Sequence, residues 1–491
     1  MLLLIVISPL LGALLILLGA PARRTALFAA IVTLGLTLTT FVRFNHNRAF
    51  DFVTSFPIAP EFHLNFTLGV DGLSLTMVLL AAIVTVAAIW FAGTIERSES
   101  AFYVCLLLIS GGTLGAFASL DLFFFYAFHE LALIPTFLLI GIWGSGNRSA
   151  AAWKVTIYLG LGSFVLLIGL IMLYLSFPAE SRTFDMRDFK TLGSQIAPAA
   201  QQNIFLVLLI GFGSLISLFP FHSWAPEAYA SAPAPAAMLH AGVLKKFGLY
   251  GLLRLALPVL PAGVQYWTNL LVVLLLGNII YIGLVTIAQK RLDWMLGYSS
   301  VMHMGYIFLG IATAGVLGTT GAAILMFAHG LSIALLFAVA GELRKRTGTL
   351  IFEDLGGLAK AMPLAGFAFG FGAFAAIGLP GFANFAAEVM VFFGSFQKAW
   401  TLDRFHLFQF ATVLALWGVV ISAVYMLRAY RSAFMGTMPD RWKDVIDLKQ
   451  SLRVPLVLLI AALIWVGFSP QTLVRVVSPA LRSSLTTPSA P

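Results

Sequence analysis

The sequence predicts an all-α, polytopic membrane protein of about fourteen transmembrane helices. Of its 491 residues, 60% are apolar and only 10% are charged, too few charges to keep a soluble domain of this length in solution. Apolar stretches of about twenty residues, each able to cross a hydrocarbon core of roughly 30 Å, recur from one end to the other. No polar stretch long enough to form a soluble domain separates them. Positions 1–491 therefore read as a single integral membrane domain.

The first apolar stretch, 1–19, has the length of a signal-peptide core. It lacks a basic start, and Arg23 and Arg24 follow it, so it reads as a retained first helix. A second helix spans 25–43. Positions 44–71 form a longer outer loop with Pro, Asn and charges, in which short amphipathic pieces are expected. Helices follow at 72–94, 101–118, 121–143 and 150–175, then a second outer loop at 176–201. The remaining spans are 202–221, 232–256, 267–288, 293–313, 318–341, 362–395, 406–432 and 452–472. The stretch 433–451 is the most charged, with Arg441, Lys443, Asp444, Asp447 and Lys449, and reads as an interfacial helix.

The net charge of +9 comes from basic residues at helix ends, which the positive-inside rule explains better than nucleic-acid binding does. Loops on the side of Arg23 carry 17 Lys and Arg, and the opposite side carries 10. Both termini are therefore placed on the outer side of a cell inner (plasma) membrane. The single Cys105 excludes an intrachain disulfide.

Two apolar spans are interrupted, at Leu218-Phe-Pro-Phe-His-Ser-Trp-Ala-Pro-Glu227 and at Gly378-Leu-Pro-Gly-Phe-Ala-Asn-Phe-Ala-Ala-Glu388. Pro removes a backbone donor and Gly tolerates irregular backbone. Within lipid such a break persists only where protein or a wet cavity satisfies the freed groups. A Glu follows each break, seven residues after Pro220 and eight after Pro380. Matched breaks in two halves of a transporter mark inverted repeats around an ion path.

A charge at mid-bilayer costs about 2.5–3.5 kcal/mol on insertion scales, so ionisable residues deep in these spans are candidates for function. Glu130, Lys246 and Glu388 have long apolar flanks. His240 and Lys245 sit on the same span as Lys246, and His303 and His329 lie in the second half. His129, one residue before Glu130, faces another way, since consecutive helix residues are about 100° apart. A lone buried His is more often a satisfied core group, and Asp71, Asp121 and Lys154 near helix ends read as solvated. No metal-ligand spacing, phosphate-cradling glycine loop, dinucleotide fingerprint or nucleophile elbow is present, and one thiol is too few for an iron–sulfur cluster. No cofactor or metal is expected. The chemistry these residues support is proton relay, in which a carboxylate moving toward or away from a buried amine switches it between proton uptake and release.

These residues lie in motifs that resemble the antiporter-like subunits of the proton-pumping NADH-quinone oxidoreductase, respiratory complex I, subunit M among them. The motifs are Phe-His-Glu-Leu-Ala-Leu-Ile-Pro135, Pro220-Phe-His-Ser-Trp-Ala-Pro-Glu-Ala-Tyr229, and Gly242-Val-Leu-Lys-Lys-Phe-Gly-Leu-Tyr-Gly-Leu-Leu-Arg254 in the first half. In the second half they are Tyr298-Ser-Ser-Val-Met-His-Met-Gly-Tyr306, Ala328-His-Gly-Leu-Ser332, and the run from Gly378 to Glu388. They cover about 120 to 400. The resemblance implies fourteen helices, two inverted five-helix repeats at 101–256 and 267–432, flanking helices at 1–94 and 452–472, and broken helices seven and twelve. It implies a proton path in which Glu130 is the input carboxylate, Lys246 the central lysine and Glu388 the exit group. It also implies neighbouring antiporter-like membrane subunits as partners, no redox centre in this chain, and quinone reduction elsewhere in the complex.

One departure stands out. The family's helix-seven lysine, the usual partner of the input carboxylate, falls at Leu215, and 191–244 holds no Lys or Arg. Lys245 and His240 are unusual gains on helix eight, which makes either a candidate replacement partner for Glu130. On straight-helix geometry the two are about 140° apart and cannot both face Glu130. The departures imply a divergent paralogue. A subunit of a multi-subunit Na⁺/H⁺ antiporter or related ion-pumping complex, and a membrane subunit that no longer pumps, stay open as alternatives.

Overall fold

The computed structural model describes residues 1–62, 64–398 and 406–485. The crossings are α1 (Leu2–Leu17), α2 (Ala22–Arg43), α3 (Gly72–Ala92), α4 (Glu99–Ala118), α5 (Leu122–Trp143) and α6 (Arg148–Ser176). The seventh is in two pieces, α7a (Pro198–Ile216) and α7b (Trp224–Ser231). Then come α8 (234–259), α9 (Pro261–Ala288), α10 (Leu292–Ala312) and α11 (Val316–Thr347). The twelfth is again split, into α12a (Pro363–Ile377) and α12b (Ala383–Gln397), before α13 (Leu407–Phe434) and α14 (Arg453–Phe468). Eleven described helices are long and apolar enough to cross a membrane. The short α1, the π-interrupted α8 and the split α12 complete the fourteen crossings, and both breaks fall where the sequence puts them.

Three expectations need correction. The outer loop 44–71 forms no amphipathic helix. It folds into an antiparallel hairpin, β1 (Asp51–Ala59) and β2 (Leu64–Val70), stacked across the strands by Phe56 on Phe66. Two adjacent extended segments rich in β-branched and aromatic residues satisfy each other's backbone groups. The charged stretch 433–451 is not an interfacial helix either; it holds only short turns at Asp440–Trp442 and Gln450–Leu452. Its side chains are drawn into local caps. The Asp447 carboxylate accepts from the amides of Leu364 and Ala365 at the start of α12a, and Trp442 Nε1 donates to the Asp354 carbonyl at 3.0 Å. Finally, the last crossing stops at Phe468, short of the expected 472, and a further helix follows it. An amphipathic helix, α15 (Pro470–Leu485), turns Leu473, Val476, Val477 and Leu481 inward.

The core is a row of helices with almost no exposed side chains: α3, α10 and α11. Glycine lets α11 touch its neighbours at the backbone. A Cβ on Gly330 would stand 2.6 Å from the Gly242 carbonyl oxygen on α8, and one on Gly321 would stand 2.8 Å from the Val391 nitrogen on α12b. With no hydrophobic drive between helices in lipid, close backbone packing of this kind holds the bundle together.

Each break has its own means of satisfaction. At the first, Asn278 of α9, wholly buried, accepts from the Phe219 amide at 2.7 Å. Its amide nitrogen donates to the carbonyls of Ser217 and Val301, both at 3.0 Å. Trp224 Nε1 takes the Ser214 carbonyl at 3.0 Å. At the second, Gly378 and Gly381 adopt left-handed backbone, with φ of 77° and 87°. At the start of α3, Asp71 caps the helix by accepting from the Ser74 amide at 2.9 Å and is tied to Arg254 of α8 at 2.6 Å.

The backbone contact between α8 and α11 generates a stability prediction. Gly330→Ala is expected to cost about 1–3 kcal/mol through overpacking, read as a lower unfolding temperature of the purified assembly. Gly35→Ala, where nothing lies within 4 Å of the added carbon, should leave that temperature unchanged. Equal behaviour of the two variants would contradict the close-packing account.

Candidate functional site

Position 240 begins a π-helical turn, His240–Leu244, in which the Lys245 amide bonds the His240 carbonyl five residues back at 3.0 Å. The wider turn changes the faces that follow. His240 and Lys245, separated on a regular helix, come to the same neighbour. The Tyr229 hydroxyl is 3.1 Å from His240 Nδ1, and Lys245 Nζ stands 5.6 Å from the centre of the Tyr229 ring. Lys245 is buried, and its Nζ has no hydrogen-bond partner among the described residues.

Lys246, fully buried, points the other way, into the contact with α11. Its ammonium bonds the Ala241 carbonyl at 2.6 Å and His329 Nδ1 at 3.2 Å. The glycine contact between α8 and α11 places these two groups together. His329 and His303 face each other with ring centroids 5.3 Å apart. His303 Nδ1 lies 2.7 Å from the Ser299 carbonyl of its own helix, and Nε2 lies 2.8 Å from the Ala376 carbonyl at the end of α12a. The Ser299 hydroxyl bonds the Tyr425 hydroxyl of α13 at 2.9 Å. Beyond the break, buried Glu388 folds back over it: a Cβ on Gly378 would stand 2.2 Å from Glu388 Oε2. Only glycine leaves room there for the carboxylate. Lys246, His329 and His303 thus form one buried row across α8, α11 and α10 that ends at the Ala376 carbonyl, beside the α12 break.

Glu130 stands apart from that row. Its side chain is 37% exposed on the outside of the chain, whereas Lys246 and Glu388 are buried. It bonds the Ser163 hydroxyl of α6 and lies 3.9 Å from His129 Nδ1. Neither Lys245 nor His240 makes a hydrogen bond or ion pair with it among the described residues. Among the described residues, Ser163 and His129 are the groups in direct contact with Glu130. The reason is the helix phase. His129 takes the inward face of α5 and stacks on Phe247 of α8 at 3.9 Å, which turns Glu130 outward.

Several site residues were not foreseen. Lys154, read as solvated, pairs with Glu227 at 2.9 Å and joins α6 to α7b just below the first break. Asn278 was visible only as a lone amide in an apolar run. Tyr229 and Ser299 lay inside the family motifs without a role assigned to them, and Tyr425 carried no signal in sequence, because a hydroxyl among aromatics is common. Among the described residues, no three His, Cys, Asp or Glu side chains gather as a metal site.

Comparison with known proteins agrees with this geometry. Residues 119–415 match the family model "NADH:quinone oxidoreductase/Mrp antiporter, TM". The "F(420)H(2) dehydrogenase subunit M" of Methanosarcina mazei is 36% identical over 90% of this chain and 88% of its own length. The "NADH-quinone oxidoreductase subunit M" of Rickettsia conorii is 32% identical over 94% of this chain and 91% of its own. Among solved structures, a chain of respiratory complex I from Thermus thermophilus with bound NADH superposes with a TM-score of 0.90 at 28% identity, covering 99% of both chains. A family model that matches 119–415, relatives 32–36% identical over nearly the whole chain and a matching fold lead to one conclusion: the chain belongs to the NADH:quinone oxidoreductase/Mrp antiporter transmembrane family.

Proposed function

We propose that this chain is a proton-translocating membrane subunit of a complex I-type oxidoreductase, and that the protons move along the row Lys246, His329, His303 and Glu388. The observation that carries the reading is the contact of Lys246 Nζ with His329 Nδ1 at 3.2 Å, inside the membrane, with His303 next in line and a broken helix at its far end. An amine, two imidazoles and a carboxylate each take up and give back a proton without a change of fold. The nitrogen-rich row favours protons over sodium, which carbonyl and carboxylate oxygens coordinate in such transporters.

The two halves then have different tasks. Segments 101–256 and 267–432 act as inverted repeats, each with one broken helix. In the first, Tyr229, His240 and Lys245 gather where the family lysine is absent, and Lys245 supplies an amine next to Lys246. Glu130 lies on the flank, where a neighbouring antiporter-like subunit packs, and serves the junction between subunits. Oxidation and quinone reduction belong to other subunits, and the relatives' names support that assignment. The chain sits in the cell inner membrane with its N-terminus outside.

Two substitutions test the path in the purified complex reconstituted into vesicles. Glu388→Gln is expected to lower the protons moved per turnover several-fold with assembly intact; an unchanged yield contradicts the exit role. Lys245→Leu keeps the apolar packing and removes the extra amine. It is expected to slow coupled turnover at least about tenfold, corresponding to 1.4 kcal/mol. Turnover at the parent rate would take Lys245 out of the path.

A further inference from the structure

We propose that His303 is a positioning residue that latches the broken helix α12: its imidazolium holds the Ser299 and Ala376 carbonyls at once, and loss of one proton releases Ala376 and loosens the break under Glu388. The proposal rests on reading the buried row as a proton path.

A carbonyl oxygen can only accept a hydrogen bond. Both ring nitrogens of His303 face carbonyl oxygens, at 2.7 and 2.8 Å. A neutral imidazole has one N–H, so it can serve one of the two; the imidazolium serves both. The arrangement is therefore complete only with the second proton in place. When that proton leaves, the bond within α10 is the one kept, because the Ser299 carbonyl is fixed four residues back on the same helix. The Ser299 hydroxyl is no substitute donor for Nδ1. It lies 3.5 Å away and is engaged with Tyr425 at 2.9 Å.

Ala376 needs this donor for a reason written in the sequence. Its carbonyl would accept from the amide four residues on, and that residue is Pro380, which has none. The turn closes around it without using it: the Gly378 amide bonds the Ala375 carbonyl at 3.2 Å, and the Leu379 amide bonds that of Phe374 at 3.3 Å. His303 Nε2 supplies what proline removed. In lipid an unpaired carbonyl costs several kcal/mol, so its release favours a different geometry of the break. Two residues further lies Gly378, the seat of the Glu388 carboxylate.

The charged and titratable groups facing this latch come from five helices. His329 of α11 is the ring neighbour, with Lys246 of α8 bonded behind it and Lys245 beside that. Tyr306 of α10 stands 5.8 Å from the His303 ring, Tyr425 of α13 is linked through Ser299, and the Glu388 carboxylate of α12b lies against Gly378 at the break. A proton arriving from His329 closes the latch, and its departure toward the Glu388 side opens it. The opening of the exit is thereby tied to the passage of the proton itself.

Hydrogen exchange on the intact complex, corrected for the intrinsic pH dependence of exchange, tests this without any pumping assay. Protection of the amides of Gly378, Leu379, Gly381 and Phe382 is expected to fall at least about tenfold as rising pH removes the second proton of the imidazole. The first break, 217–223, held by the Asn278 amide, is the internal reference and should not change. His303→Leu removes the donor and should leave the second break weakly protected at every pH. Pro380→Ala restores an amide to the Ala376 carbonyl and should give high protection at every pH. Unchanged pH dependence in either variant, or its absence in the parent, overturns the latch. Because the readout is local opening, the latch can fail while Glu388→Gln still abolishes pumping, or stand while it does not.

Discussion

A backbone carbonyl inside a bilayer has no water to fall back on, and the structure is arranged around that constraint. Helices satisfy nearly all such groups. The two places that interrupt helices leave free carbonyls at mid-membrane, and each must be met by a side chain from a neighbour. At the first break the donor is Asn278, an amide that neither gains nor loses a proton. At the second the donor is His303, an imidazole that does both. One break is thus clamped and the other is responsive, although the two read alike in sequence. The difference fits the chemistry around them. The first half gathers Tyr229, His240 and Lys245 near its break, whereas the row that starts at Lys246 runs through His329 and His303 of the second half toward the α12 break.

The row itself depends on backbone proximity. Gly242 and Gly330 let α8 and α11 approach until carbonyl and Cα nearly touch, and this brings Lys246 to His329. Gly378 does the same for Glu388. The glycines set the spacing, and the ionisable groups use it.

Much of this was legible from residues alone. Fourteen crossings follow from hydropathy, because the bilayer imposes one length on every element. Both breaks follow from Pro220 and Pro380, because a missing amide is a property of the residue. Lys246, His303, His329 and Glu388 stood out because charge or imidazole within lipid is costly, and all four lie buried where α8, α10, α11 and α12 meet. What could not be read was phase. The π-turn at 240–244 brings His240 and Lys245 to the same tyrosine, against the 100° rule for regular helices. The ring of His129 on Phe247 decides that Glu130 faces out. Neither has a local sequence rule, since each is settled by which of two packings fits the neighbouring helix. The hairpin at 51–70 and the helix at 470–485 were missed for a simpler reason: outside the apolar spans, hydropathy has nothing to say.

The central claim is that Lys246 carries protons and is not merely a fixed charge within the bundle. Lys246→Arg separates the two, because Arg keeps the positive charge and donor groups but does not release its proton at accessible pH. The measurement is proton translocation per turnover, with assembly checked in parallel, in vesicles containing the purified complex. The account predicts an assembled complex whose coupled turnover collapses in Lys246→Arg as it does in Lys246→Ala. Full turnover with a normal proton yield in Lys246→Arg would show that charge alone suffices, and would contradict the relay.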